Sequence, residues 1–185
     1  MSGAWAQLNV LVTGGASFIG SHLVEALVAR GARVRVVDNL SSGRFENIRS
    51  LVEGGQVEFR DEDLLNPEVA HRAAEGMKVV FHLAADHGGR GYIDTHPVEC
   101  STNLVLDGLV FRGAHQAGVN KIVFASSGCV YPTSRQMDTS AEVFLSEDLV
   151  RPPYEADDLY GWAKLMGELT LRAYHEQYGM KAVSC

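Results

Sequence analysis

Two hydrophobic rhythms alternate along the chain. Short apolar runs at Leu8–Thr13, Arg33–Asp38, Val57–Phe59, Val79–Leu83, Ile122–Ala125 and Ala182–Cys185 read as strands. Longer amphipathic stretches at Phe18–Arg30, Pro67–Ala74, Cys100–Gln116 and Asp158–Tyr178 read as helices, with Gly31, Gly76, Gly118 and Gly179 as stop signals at or just beyond their ends. Strands separated by helices predict crossovers between parallel strands, so the fold class is α/β, a doubly wound parallel sheet. No internal repeat, low-complexity segment or linker interrupts the pattern. Residues Ser127–Asp157 have weak periodicity and read as a long loop, and loops of that length are usually functional. The pattern stops on the sixth strand, with nothing after it to cover a substrate at the carboxyl edge of the sheet. The expectation is one domain over residues 1–185, with a C-terminal substrate domain absent from this chain.

Composition narrows the function classes. The 185 residues are 46% hydrophobic, enough for one buried core of ordinary size. A formal charge of −7, with no lysine or arginine cluster to offset it, argues against nucleic acid as a partner. Met1–Gln7 lacks the charged start and long apolar core of an export signal, and no stretch approaches the length of a membrane span. A cytoplasmic protein is expected. The cysteines, Cys100, Cys129 and Cys185, are odd in number and scattered, which fits a reducing compartment and offers no metal-like pairing.

The first candidate chemistry lies at Val12-Thr13-Gly14-Gly15-Ala16-Ser17-Phe18-Ile19-Gly20, a glycine-rich turn between the first strand and the first helix. Strand, turn and helix N-terminus together aim unpaired backbone N–H groups and the positive end of a helix dipole at one point, which suits a pyrophosphate. Glycine lets the backbone come that close. Asp38 ends the second apolar run, where a carboxylate can grip the adenosine ribose and repel a 2′-phosphate. NAD is therefore favoured over NADP, with Arg35 and Arg44 leaving NADP open.

The second lies at Tyr160-Gly161-Trp162-Ala163-Lys164, where a tyrosine and a lysine four residues apart share one helix face. A nearby ammonium, together with a cationic nicotinamide, would stabilise the phenolate and bring it towards the working pH of a general base. Standing alone, the same spacing describes an ordinary exposed pair.

Taken together, the glycine-rich turn, Asp38, Asp63-Leu64, His82-Leu83-Ala84-Ala85, Ser126-Ser127 and Tyr160 with Lys164 resemble the extended short-chain dehydrogenase/reductase family of nucleotide-sugar epimerases and dehydratases, over almost the whole chain. The resemblance implies a Rossmann-type NAD-binding domain, a nucleotide-sugar substrate and a homodimer. It implies a cofactor set of Gly14, Ser17, Phe18, Ile19, Gly20, Asp38, Asn39, Asp63, Leu64, Leu83, Ala84, Ala85, Asn103, Ser127, Tyr160 and Lys164. In that set Asp63 and Leu64 flank the adenine, Leu83 to His87 line the path from pyrophosphate to ribose, and Asn103 and Ser127 approach the nicotinamide half. Ser17 departs from the family's middle glycine. Its Cβ would crowd the pyrophosphate unless its hydroxyl compensates by donating to it.

Within the family, Ala84-Ala85-Asp86-His87-Gly88-Gly89-Arg90-Gly91-Tyr92-Ile93 and Ser126-Ser127-Gly128-Cys129-Val130-Tyr131-Pro132 look most like GDP-mannose 3,5-epimerases. The resemblance implies that Gly88, Gly89 and Gly128 contact substrate and that Cys129 is a base on ring carbons. His87 and Arg90 read either as solvated loop polarity or as contacts to phosphates and sugar hydroxyls. The chemistry supplies a reason for a second base: oxidising a sugar hydroxyl acidifies the neighbouring C–H bonds, and a thiolate can then remove a proton. Tyr160 would be the oxidation base, Lys164 its partner and Ser127 the group that orients the hydroxyl. Two alternatives stand. One is a UDP- or dTDP-sugar 4-epimerase, 4,6-dehydratase or decarboxylase with Cys129 a passive neighbour, and the other is a non-catalytic NAD-binding module.

Overall fold

A computed structural model describes residues 3–136 and 142–185. Six parallel strands form one sheet: β1 (Asn9–Thr13), β2 (Arg33–Asp38), β3 (Val57–Asp61), β4 (Val79–His82), β5 (Lys121–Phe124) and β6 (Lys181–Ser184). Their spatial order, β3-β2-β1-β4-β5-β6, is the doubly wound arrangement. The order runs outward in both directions from β1 and β4, so a crevice opens at the carboxyl ends of that pair.

Seven helices are described: α1 (Phe18–Ala29), α2 (Arg49–Glu53), α3 (Pro67–Ala74), α4 (Arg90–Thr95), α5 (Pro97–Ser101), α6 (Asn103–Gln116) and α7 (Asp158–Tyr178). None is long and apolar enough to cross a membrane among the described residues. Alternation along each strand sends side chains to opposite faces. Val10, Val12, Val34 and Val36 join Val24 and Leu27 of α1 in one core, while Leu11, Val37, Val80 and Ile122 pack with α3, α6 and α7 in the other. Burial on both faces explains why the central strands β1 and β4 read as continuous apolar runs.

Helix ends follow local chemistry. Asn66 caps α3, its side-chain oxygen accepting from the Glu68 amide at 3.0 Å, with Pro67 in the first turn. Gly179 closes α7 in the left-handed conformation, φ +70°.

Two stretches differ from the pattern-based expectation. The single helix expected over Cys100–Gln116 is broken at Thr102 into α5 and α6. There the Thr102 hydroxyl donates to the Glu99 carbonyl at 2.6 Å and the Asn103 amide to the Cys100 carbonyl at 3.0 Å, so side chains take acceptors that a continuous helix gives to its own backbone. The glycine-rich segment after β4 is not all loop, since α4 forms at Arg90, tied by an Arg90–Asp94 ion pair at 2.9 Å. The long segment before α7 carries 3-10 turns at Gly128–Val130, Thr133–Arg135 and Glu147–Leu149, and its residues 137–141 lie outside the described residues.

Candidate active site

A cleft of about 430 Å³ opens at the carboxyl edge of β1, β2 and β4. Of the residues expected to hold a dinucleotide, Gly14, Ser17, Asp38, Asn39, Asp63, Leu64, Leu83, Ala84 and Ala85 line it. Gly14 cannot be replaced without cost. Its φ is +68°, and a Cβ there would lie 2.8 Å from the Ala84 nitrogen. The two cleft walls therefore meet at Gly14, with no room for a side chain between them. Gly20 is constrained in the same turn, where a Cβ would fall 2.2 Å from the Gly14 carbonyl oxygen. Phe18 and Ile19 turn their side chains to solvent, and the amides of this first turn have no intrahelical acceptor.

Ser17 resolves the departure noted in the motif. Its hydroxyl donates to the Gly14 carbonyl at 2.6 Å, closing the turn on itself rather than reaching into the cleft. Asp38 is buried, accepting from the Ala16 amide at 2.9 Å and from the Leu40 amide at 2.9 Å. One carboxylate thus fixes both the glycine-rich turn and the loop after β2. The Ala16 carbonyl is held from the far side by the Arg44 amide at 3.0 Å and the Asn47 side chain at 2.8 Å. Arg35 is not available to a 2′-phosphate. Its guanidinium is consumed by Glu58 at 2.9 Å and by carbonyls at the end of α3.

A phosphate cradle that excludes any Cβ, free helix amides and a buried carboxylate at the ribose position together fit an NAD molecule.

Asn103 stands behind the cleft, fully buried. Its side chain accepts from the Asp86 amide and donates to the Asp86 carbonyl, both at 2.8 Å. The asparagine fixes the loop over which the expected nicotinamide half would lie. Beyond it, the Tyr92 hydroxyl donates to Asp86 at 2.9 Å. That bond, helped by desolvation and by the charge of Asp86, pushes the Tyr92 phenol up to about 12. Gly88 makes room for this side chain, since a Cβ would lie 2.5 Å from its Cβ and 2.6 Å from its ring, and exposed Gly89 caps α4. His87 lines the cleft, whereas Arg90 is paired with Asp94 and Asp157.

The second constellation forms where the turn after β5 meets α7. Ser127 caps that turn, its hydroxyl oxygen accepting from the Cys129 amide at 3.1 Å. The Cys129 carbonyl accepts from the Asp157 amide at 2.8 Å, and a Cβ on Gly161 would fall 2.4 Å from the same oxygen. The glycine beside Tyr160 is what allows Ser127, exposed Gly128 and Cys129 to close onto the helix that carries Tyr160 and Lys164. Burial, and then the charge that Cys129 carries when ionised, push the Tyr160 phenol up, with the Ser127 hydroxyl acting in the opposite direction. Lys164 is buried, its Nζ 4.7 Å from the centre of the Phe124 ring. Burial pulls its ammonium down and the Asp107 carboxylate opposes that pull. Without a dinucleotide, then, Tyr160 is raised rather than lowered, because burial and Cys129 dominate its surroundings. Cys100 is buried and Cys185 is exposed, with its backbone paired to β5.

One buried group went unassigned in the sequence: Thr13, His82 and Asp107, joined by hydrogen bonds of 2.7 and 2.9 Å. His82 stands in a quoted motif, but nothing local ties it to Asp107.

The NAD dependent epimerase/dehydratase family matches residues 10–185. A UDP-glucose 4-epimerase of Mycolicibacterium smegmatis is 36% identical over 94% of this chain and 53% of its own length. A GDP-mannose 3,5-epimerase of Arabidopsis thaliana is 31% identical over 95% of this chain and 45% of its own. Among solved structures, the Thermus thermophilus UDP-glucose 4-epimerase in complex with NAD superimposes with a TM-score of 0.79 at 34% identity, over 96% of this chain and 54% of that one. The chain spans about half the length of the curated relatives it matches.

Proposed function

Since the chain belongs to the NAD dependent epimerase/dehydratase family, we propose that it carries the oxidising site of a nucleotide-sugar epimerase similar to GDP-mannose 3,5-epimerases, which acts on carbons beside an oxidised centre. The observation that carries this reading is the closure of Cys129 onto the helix of Tyr160 through Gly161, within electrostatic reach of the phenol.

Gly14, the first-turn amides of α1 and Asp38 hold NAD, which when bound supplies the electron acceptor for converting a sugar hydroxyl to a ketone. Tyr160 accepts the hydroxyl proton, Ser127 orients that hydroxyl, and Lys164 adds positive charge beneath the phenolate. The ketone acidifies the adjacent C–H bond, and the Cys129 thiolate removes that proton to leave an enolate, which takes a solvent-derived proton from an acid on the other face. Gly88, Gly89 and Gly128 border the sugar, with His87 nearest the phosphates. Exposed apolar side chains on adjacent helices, Leu104 and Val105 of α6 with Trp162 and Met166 of α7, support a homodimer.

A second reading, a UDP-sugar 4-epimerase in which Cys129 is a bystander, is favoured by the higher identity to the Mycolicibacterium enzyme. Heavy water separates the two. Given NAD and GDP-mannose, the protein should place deuterium on ring carbons beside the oxidised one. Cys129→Ala should still reduce NAD but lose the exchange by about 10²–10⁴-fold. Epimerisation of UDP-glucose without deuterium uptake would establish the second reading instead.

A further inference from the structure

Asp107 sits in the second turn of α6, 2% exposed, and the other buried carboxylate among the described residues, Asp38, has backbone amides on both oxygens. Only one Asp107 oxygen has a partner. Oδ1 lies 2.9 Å from His82 Nε2, while Oδ2 is buried without a hydrogen-bond partner among the described residues. A buried carboxylate oxygen left bare is costly, so its surroundings should supply compensation.

The hydrogen bonds decide what His82 can supply. Thr13 Oγ1 accepts from the Leu83 amide at 3.1 Å and the Ala84 amide at 3.2 Å, which occupies both lone pairs. Its own proton must then point at His82 Nδ1, 2.7 Å away, so that Nδ1 accepts. The imidazole is therefore the neutral tautomer with its proton on Nε2, donated to Asp107 Oδ1. His82 orients the carboxylate without cancelling its charge. The parallel register of β1 and β4, which sets Thr13 beside His82, locks this arrangement.

The bare Oδ2 faces α7. A Cβ on Gly167 would lie 3.2 Å from Oδ2 and 2.7 Å from the Phe124 ring edge. Lys164 stands three residues earlier on α7, its Nζ 4.7 Å from the centre of the same ring, and the Asp107 charge acts on its ammonium. Lys164 is 2% exposed and makes no salt bridge among the described residues. We propose that Asp107 is a positioning residue: held by His82 and Thr13, it is the buried counter-charge to the Lys164 ammonium on the helix that carries Tyr160. Gly167, without a side chain, leaves room on α7 for Oδ2 and the edge of the Phe124 ring. His82 from β4 and Tyr160 from α7 face Asp107, and Cys129 from the turn after β5 and Cys100 from α5 face Tyr160 in turn. Of these, none carries a positive charge that could replace Lys164.

The role given to Lys164 in oxidation belongs to the reading above, but the pairing with Asp107 does not need it and is read without substrate. The chain has four lysines, Lys78, Lys121, Lys164 and Lys181, so the side-chain carbon signal of each can be followed by NMR as pH is raised. Asp107→Asn keeps an acceptor for His82 and removes the charge. The Lys164 midpoint should then move to lower pH while the other three lysines do not move. Asp107→Glu should restore it in part. A Lys164 midpoint unchanged in Asp107→Asn overturns the proposal. Thermal unfolding gives an independent measurement: Lys164→Met alone leaves a buried negative charge, so adding Asp107→Asn should recover part of the lost Tm. Simple addition of the two losses would overturn the pairing as well.

Discussion

Gly161 and Cys129 are in direct apposition: a single methyl group on Gly161 would fall 2.4 Å from the Cys129 carbonyl oxygen and 3.1 Å from its Cβ. The turn that carries Ser127 and Cys129 is therefore seated by an absence of side chain on α7, one residue from Tyr160. Gly161→Ala should force the turn away and destabilise the protein by about 1–3 kcal/mol, as overpacking does. Gly128→Ala, where a Cβ meets nothing within 4 Å, should stay within about 0.5 kcal/mol of the parent. Urea unfolding of both variants checks the pair of outcomes.

Asp38 links cofactor choice to the shape of the turn. Asp38→Asn keeps an oxygen for one of the two amides it holds and removes the charge that repels a 2′-phosphate. NAD affinity should fall and NADP affinity should rise towards it, narrowing the ratio. Asp38→Ala should in addition cost about 1–3 kcal/mol of stability, since two amides lose their acceptor. Titration of each protein with both dinucleotides measures the first effect and denaturant unfolding the second.

Tyr92 supplies a spectroscopic prediction. Its phenol is pushed up to about 12, first by the hydrogen bond it donates to Asp86. A folded-state value above the ordinary tyrosine value means the folded state holds this proton longer than the unfolded one does. The resulting stabilisation is full below about pH 10 and is lost as pH rises from there towards 12. Ultraviolet titration of the tyrosines should show a late-ionising phenol that disappears in Tyr92→Phe. In Asp86→Asn the same phenol should ionise earlier. An unchanged curve in both variants would remove the Tyr92–Asp86 bond from the solution structure.

The sheet was legible because burial on both faces leaves unbroken apolar runs in β1 and β4, and β2, where valines alternate with arginines, matches its expected limits residue for residue. β3 runs on to Asp61, past the expected Phe59, since Arg60 lies at the sheet edge paired with Glu58 and breaks no hydrogen bond of the ladder. The short α2 and α4 escaped detection, as five or six residues cannot establish a helical period. Among site residues, those in contiguous motifs could be found by reading along the chain. Thr13 and His82 are 69 residues apart and His82 and Asp107 are 25 apart, so their union depends on strand register and helix packing rather than on any local spacing. Arg35 was misleading for a related reason: its place beside Asp38 in sequence hides the fact that its side chain emerges on the side of the sheet occupied by α3.

Among the described residues, the hydrogen bonds of Asn103 to the segment after β4 go to main-chain atoms of Asp86. Main-chain atoms are common to every amino acid, so the shape of that segment is insured against changes in its own side chains. His87 can then vary while the shelf beneath stays level, whereas Gly88 remains fixed by the Tyr92 ring it faces. A library randomised at His87 and Arg90 should return variants that still bind NAD but differ in what they accept, whereas one randomised at Asn103 should lose both properties at once.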